Sequence, residues 1–109
     1  MPMIETWLRS DLANLVRVVS LEGSAFHSDI GGNKIGVILT KEGVPITVDE
    51  DVRGYFIRPD GETITFNGSR SGNRAWVVLP ASAYTAKGPF TLTIKCGATT
   101  IGACTGYIR

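Results

Sequence analysis

Four groups of side chains in this sequence are of types that do chemistry, and their spacing decides what each could do. His27-Ser28-Asp29 offers a base, a hydroxyl and a carboxylate. A catalytic triad needs members that converge from separated positions, a nucleophile on a strained turn and an oxyanion hole. Three chain neighbours do not supply that, and no Gly-x-Ser-x-Gly elbow occurs, so the segment reads as a polar loop. Asp49-Glu50-Asp51 is the densest acidic cluster, but a calcium loop alternates its carboxylates ahead of a glycine, whereas consecutive ones mark a solvated turn. Gly31-Gly32-Asn33-Lys34 lacks the Gly-Lys-Ser/Thr ending of a phosphate loop and opens a strand instead of a helix. Cys96 and Cys104 flank the last turn. With that turn centred on Ala98-Thr99, Cys96 faces Ile101 and Cys104 faces Thr93, which puts the sulfurs on opposite faces of the hairpin. A bridge wants Cα atoms within about 7 Å, so two free thiols are expected, packed as small apolar side chains. With one histidine and no Cys-x-x-Cys, a zinc site lacks ligands. The expectation is therefore no catalytic residue, no metal and no cofactor.

Binding is the remaining kind of function. Of nine aromatic residues, Phe56, Trp76, Phe90 and Tyr107 fall inside strand-like runs, where core packing outranks a stacking platform for sugars. Trp7 lies outside them. Ile4, Leu8 and Leu12 recur at i, i+4 and i+8, one face of a helix, in a piece too short to be stable alone. Residues 1–12 are thus expected to form an N-terminal arm, helical where it is ordered, ahead of a sandwich domain spanning 13–109. Apolar side chains on such an arm must find a surface, and Ile4, Trp7, Leu8 and Leu12 are the expected interface residues, with Trp7 as the hot spot. The expected surface belongs to a neighbour in a multi-copy assembly, the domain's own sandwich being the other choice.

The elements that must carry these residues are strands. Period-two patterning and turn dipeptides recur every 8 to 12 residues, the signature of a sandwich or barrel. About seven strands are expected, near Leu15 to Ser20, Asn33 to Thr40, Val52 to Arg58, Thr63 to Phe66, Asn73 to Leu79, Phe90 to Cys96 and Thr100 to Ile108. Pro59-Asp60-Gly61 presets a hairpin turn between the third and fourth. Gly32-Asn33-Lys34-Ile35-Gly36-Val37-Ile38-Leu39 resembles Gly72-Asn73-Arg74-Ala75-Trp76-Val77-Val78-Leu79 forty positions later, which predicts two strands launched alike from one end of the sandwich. The fold class is all-β, an immunoglobulin-like antiparallel β-sandwich with a short N-terminal arm.

At 109 residues, 43% of them hydrophobic and 19% charged, the chain suffices for one core, and disorder is not indicated. Its apolar runs are far shorter than the roughly 20 residues that cross a bilayer. Glu5, Arg9 and Asp11 interrupt any signal-peptide stretch, so secretory export is not indicated. A net charge of +1 argues against nucleic-acid binding. All ten acidic residues fall within residues 1–62, whereas 63–109 hold five basic ones. Interleaving of the halves in one sandwich is the expectation, and head-to-tail contact between copies is the alternative.

An ordered set of motifs links these elements: Asp29-Ile30-Gly31-Gly32-Asn33, Leu39-Thr40-Lys41-Glu42-Gly43-Val44-Pro45, Gly54-Tyr55-Phe56-Ile57-Arg58-Pro59-Asp60-Gly61, Gly72-Asn73, Leu79-Pro80-Ala81-Ser82-Ala83-Tyr84 and Gly88-Pro89-Phe90. Together, from Phe26 to Arg109, they resemble a family of tailed-phage and prophage proteins that includes the N-terminal domain of baseplate upper proteins. The resemblance implies a non-enzymatic virion structural protein, made in the host bacterial cytoplasm, whose sandwich attaches to the tail or baseplate through other virion proteins. It transfers no binding residues. Capsid decoration is the alternative, since fold does not fix function, and a small carbohydrate-binding module, which needs exposed aromatics on one face, is the second.

Overall fold

The computed structural model describes residues 5–11, 18–26 and 32–109. Ten strands are present among them: β1 (Glu5–Asp11), β2 (Val18–Phe26), β3 (Lys34–Lys41), β4 (Val44–Pro45), β5 (Val52–Ile57), β6 (Thr63–Asn67), β7 (Ser69–Ser71), β8 (Arg74–Val78), β9 (Gly88–Cys96) and β10 (Thr99–Ile108). A single 3₁₀ turn, Ala81–Tyr84, interrupts them. They form two five-stranded sheets. The first runs β1-β3-β8-β7, with β4 on the end of β3; the second runs β2-β10-β9-β5-β6. The protein is an all-β sandwich, and most pairings are antiparallel. Two are not: β1 lies parallel to β3, and β2 parallel to β10. The N-terminal strands add these two parallel edges to the otherwise antiparallel sandwich, one to each sheet.

Alternation builds the core. Ile35, Val37, Leu39, Ala75 and Val77 point inward from the first sheet, and Val52, Phe56, Phe90, Leu92, Ile94, Ile101, Cys104 and Ile108 from the second. At the centre, Phe56 and Phe90 stack with centroids 4.8 Å apart. Burying one such side chain is worth about 1.5–3 kcal/mol, so these residues dominate the favourable side of folding.

The N-terminal segment corrects the sequence reading. It is a strand, not a helix, and all seven of its residues register with Lys34 through Thr40. Spacings of four and eight are even, so Ile4, Leu8 and Leu12 satisfy a period of two as well as a helical face. Leu8 enters the core with the residues of β3. The Asp11 carboxylate accepts the amides of Glu42 and Gly43, both at 2.9 Å, and the Thr40 hydroxyl at 3.0 Å. Glu42 and Gly43 are the central residues of the β3–β4 hairpin and both take positive φ, 51° and 80°, the mark of a type I′ turn. The end of β1 therefore fastens the turn that follows β3.

The internal repeat is a pseudo-two-fold. Lys34 pairs with Val78 and Ile38 with Arg74, so the two copies run antiparallel about Gly36 opposite Trp76 and start from opposite ends of the sheet, not from one. Each Gly-Asn opens its own strand and closes the other: Leu39 donates to the Asn73 carbonyl at 2.8 Å, and Leu79 to the Asn33 carbonyl at 2.9 Å. Gly32 and Gly72 both adopt positive φ, 78° and 58°, which glycine supplies without steric cost. Asn33 is buried and donates through its side-chain amide to the Tyr84 hydroxyl at 2.7 Å, pinning the 3₁₀ turn to the start of β3.

The last hairpin turns one residue earlier than expected. Cys96 pairs with Thr99, a bulge falls between Thr100 and Gly102, and Cys104 pairs with Leu92. The extra residue at Ile101 resets the alternation, so both thiols face the core instead of opposite faces. Both are free.

Candidate interaction surface

The first sheet presents an outer face built in rows. Glu5, Lys34 and Val78 form one; Trp7, Gly36, Trp76 and Ser69 the next; Arg9, Ile38, Arg74 and Ser71 the third. These are the partners of the inward residues Leu8, Ile35, Val37, Ala75 and Val77, one pleat away. Trp7 and Trp76 belong to different strands with Gly36 between them. The Trp7 indole lies across Gly36, where a Cβ would collide with the ring carbons, and meets Trp76 edge-on at 6.1 Å.

Cations cap the pair. Lys34 Nζ stands 4.6 Å from the Trp76 centroid and 5.3 Å from that of Trp7, and the Arg74 guanidinium lies 5.3 Å from Trp7. Lys34 is held in place by Glu5 at 3.2 Å. A cation over an indole face within about 6 Å is attracted by the ring quadrupole, at about 0.5–1 kcal/mol in an exposed setting. The group thus ties β1, β3 and β8 together and leaves a surface of indole, guanidinium and aliphatic groups, Val78 being 41% exposed. Tryptophan and arginine are the residue types over-represented at interface hot spots.

Of the expected interface residues, Trp7 lies on this outer face and Leu8 in the core directly behind it. Ile4 and Leu12 lie outside the described residues, as do His27, Ser28 and Asp29. Trp76, Lys34 and Arg74 were missed. The signal was parity: Ala75, Val77 and Leu79 alternate with Arg74, Trp76 and Val78, so a charged residue two positions before Trp76 already turns its face outward. The expectation that Trp76 and Tyr107 pack in the core is corrected in the same way, Tyr107 being 50% exposed. The expected sequence split in charge is interleaved in space, β3 pairing β8 and β5 pairing β9.

The other polar clusters are structural. Arg58 makes a two-pronged bond to Asp60, at 3.1 and 2.9 Å, and reaches the Thr85 hydroxyl at 2.8 Å, linking the β5–β6 loop to the end of the 3₁₀ turn. The Glu62 amide, donating at 3.1 Å, is the main cause that holds the Asp60 carboxyl below its ordinary value. Asp49, Glu50 and Asp51 are exposed, with Asp51 3.6 Å from Arg70. Among the described residues no group of three or more His, Cys, Asp or Glu side chains could hold a metal ion, and no helix is long and apolar enough to cross a membrane. A hollow of about 160 Å³ is lined by Leu39, Ile46, Val48, Cys96 and Ile101, among others. It is well below the roughly 300 Å³ at which ligand pockets begin.

No protein-family model and no curated protein sequence matches the chain. Its fold does match a solved structure, the N-terminal domain of phage TP901-1 ORF48, with a TM-score of 0.62 and 10% identity, over 98% of this chain and 99% of that one.

Proposed function

We propose that this domain is a non-enzymatic structural protein of a tailed-phage virion, an attachment module of the tail or baseplate that works through contacts with other virion proteins. One observation carries the reading: the likeness to a phage N-terminal domain covers 98% of this chain and 99% of that one. The ordered turn motifs from Asp29 to Phe90 support it independently, since they are read from sequence alone. The outer face around Trp7 and Trp76 is the surface we assign to attachment. A sugar would need open aromatic faces for stacking, and here Lys34, Arg74 and Gly36 occupy those positions.

Electron microscopy of particles from the producing phage, with this protein labelled, tests the reading. Label at the tail tip or baseplate is expected. Label distributed over the capsid would overturn the tail assignment in favour of decoration, and particles without label would overturn both.

A further inference from the structure

Sheet edges carry unpaired backbone donors and acceptors, and proteins ordinarily blunt them with short strands, bulges or proline. Three edges here are blunted: β7 has three residues, β4 has two, and the pairing of β2 with β10 breaks register between Thr105 and Tyr107. Two keep an unbroken register, the five-residue β6 and β1, and β1 is the longer. It is seven residues long, contains no proline, and pairs with β3 without a register shift. Among the described residues nothing pairs with its other side. The Trp7 indole leans inward across Gly36, so the largest side chain of the strand points away from that edge.

The charges on β1 select a partner. Its outer face carries Glu5, Arg9 and Asp11, and Asp11 is already engaged with the β3–β4 turn. In an antiparallel pair of two β1 strands, only registers that place outer residues opposite outer residues keep Leu8 inward in both copies. Centred on Leu8, such a pair would oppose Glu5 to Asp11, like to like. Centred on Arg9 it would oppose Arg9 to itself. Centred on Trp7 it opposes Glu5 of each copy to Arg9 of the other, two complementary pairs at once. Arg9 is exposed and, among the described residues, sits in no ion pair, while Glu5 uses one carboxylate oxygen on Lys34.

We propose that this chain pairs with a second copy of itself through the free edge of β1, antiparallel and around a two-fold axis at Trp7, so that the first sheets of two copies become one continuous sheet. The proposal goes beyond the virion reading and does not depend on it. A closed two-fold contact is isologous, so each change made in β1 acts twice. One strand edge buries much less than a standard interface, which makes a reversible, concentration-dependent dimer the expected state of the isolated protein.

Sedimentation velocity from micromolar concentrations to about 1 mM, the range in which weak association is read, provides the test. The native chain is expected to shift from monomer to dimer. Arg9→Glu places glutamates opposite each other twice, and Glu5→Arg does the same with arginines; each is expected to weaken association by roughly tenfold. The double variant carrying both changes restores both pairs with reversed sign and is expected to recover the dimer. Thermal melting of every variant verifies that the fold is kept, and a variant that melts early is replaced by Arg9→Gln or Glu5→Gln, for which a smaller loss is expected. A chain that stays monomeric throughout, a dimer indifferent to both reversals, or a double variant no better than the singles overturns the proposal.

Discussion

At the scale of single residues, two positions decide whether β1 belongs to the sandwich. Leu8 is buried between the sheets, and removing its branched end leaves a cavity that the surrounding strands only partly close. Leu8→Ala is expected to cost about 2–4 kcal/mol, measured by denaturant unfolding. Gly36 acts from the opposite face. A methyl group there would occupy the space of the Trp7 ring, so Gly36→Ala must expel the indole from its place between Lys34 and Trp76. Loss of about 1–3 kcal/mol is expected, with red-shifted tryptophan emission as the ring reaches water. A Gly36→Ala protein with native stability and emission would mean that the indole packs elsewhere.

At the scale of elements, β1 and the β3–β4 hairpin depend on each other. The Asp11 carboxylate holds two amides of a turn whose first central residue, Glu42, adopts a conformation that L side chains disfavour. Asp11→Ala removes both acceptors and is expected to destabilise by about 1–3 kcal/mol, with hydrogen exchange quickening first at Glu42 and Gly43. A chain beginning at Ala13 loses all of β1 and exposes the flank of β3. It is expected to melt well below the full chain, because a seven-residue pairing and the Leu8 contact vanish together. Equal melting of the two chains would restore the idea of a detachable arm.

At the scale of the whole molecule, two groups make stability depend on pH, one on the acid side and one on the alkaline side. The Asp60 carboxyl titrates below its ordinary value of 3.8, chiefly because it accepts the Glu62 amide and also because Arg58 lies beside it. Its contribution is therefore fully present above that value and is lost as pH falls through the lowered one. Burial pushes the Cys104 thiol from 9.0 up to about 12. In the unfolded chain that thiol ionises near 9 while the folded one stays protonated, so unfolding gains favour as pH rises from about 9 toward 12. Cys104→Ala should flatten the alkaline fall in melting temperature without moving the acid one. Below pH 9 the native thiol is expected to resist alkylation until the protein unfolds.

Local rules, read residue by residue, account for part of this fold. Alternation placed six of the strands, and Pro59-Asp60-Gly61 placed a hairpin. Tertiary structure decided the rest, because the deciding terms are non-local. An apolar spacing of four fits a helix and a strand equally, and only the open flank of β3 made residues 5–11 a strand. The repeat of Gly-Asn could start two strands from the same end or from opposite ends, and antiparallel pairing chose the second. A one-residue bulge at Ile101, invisible in periodicity, turned both cysteines into the core. The surface around Trp7 comes from strands some thirty and seventy residues apart in sequence, joined because a glycine between two tryptophans leaves room for their rings to meet.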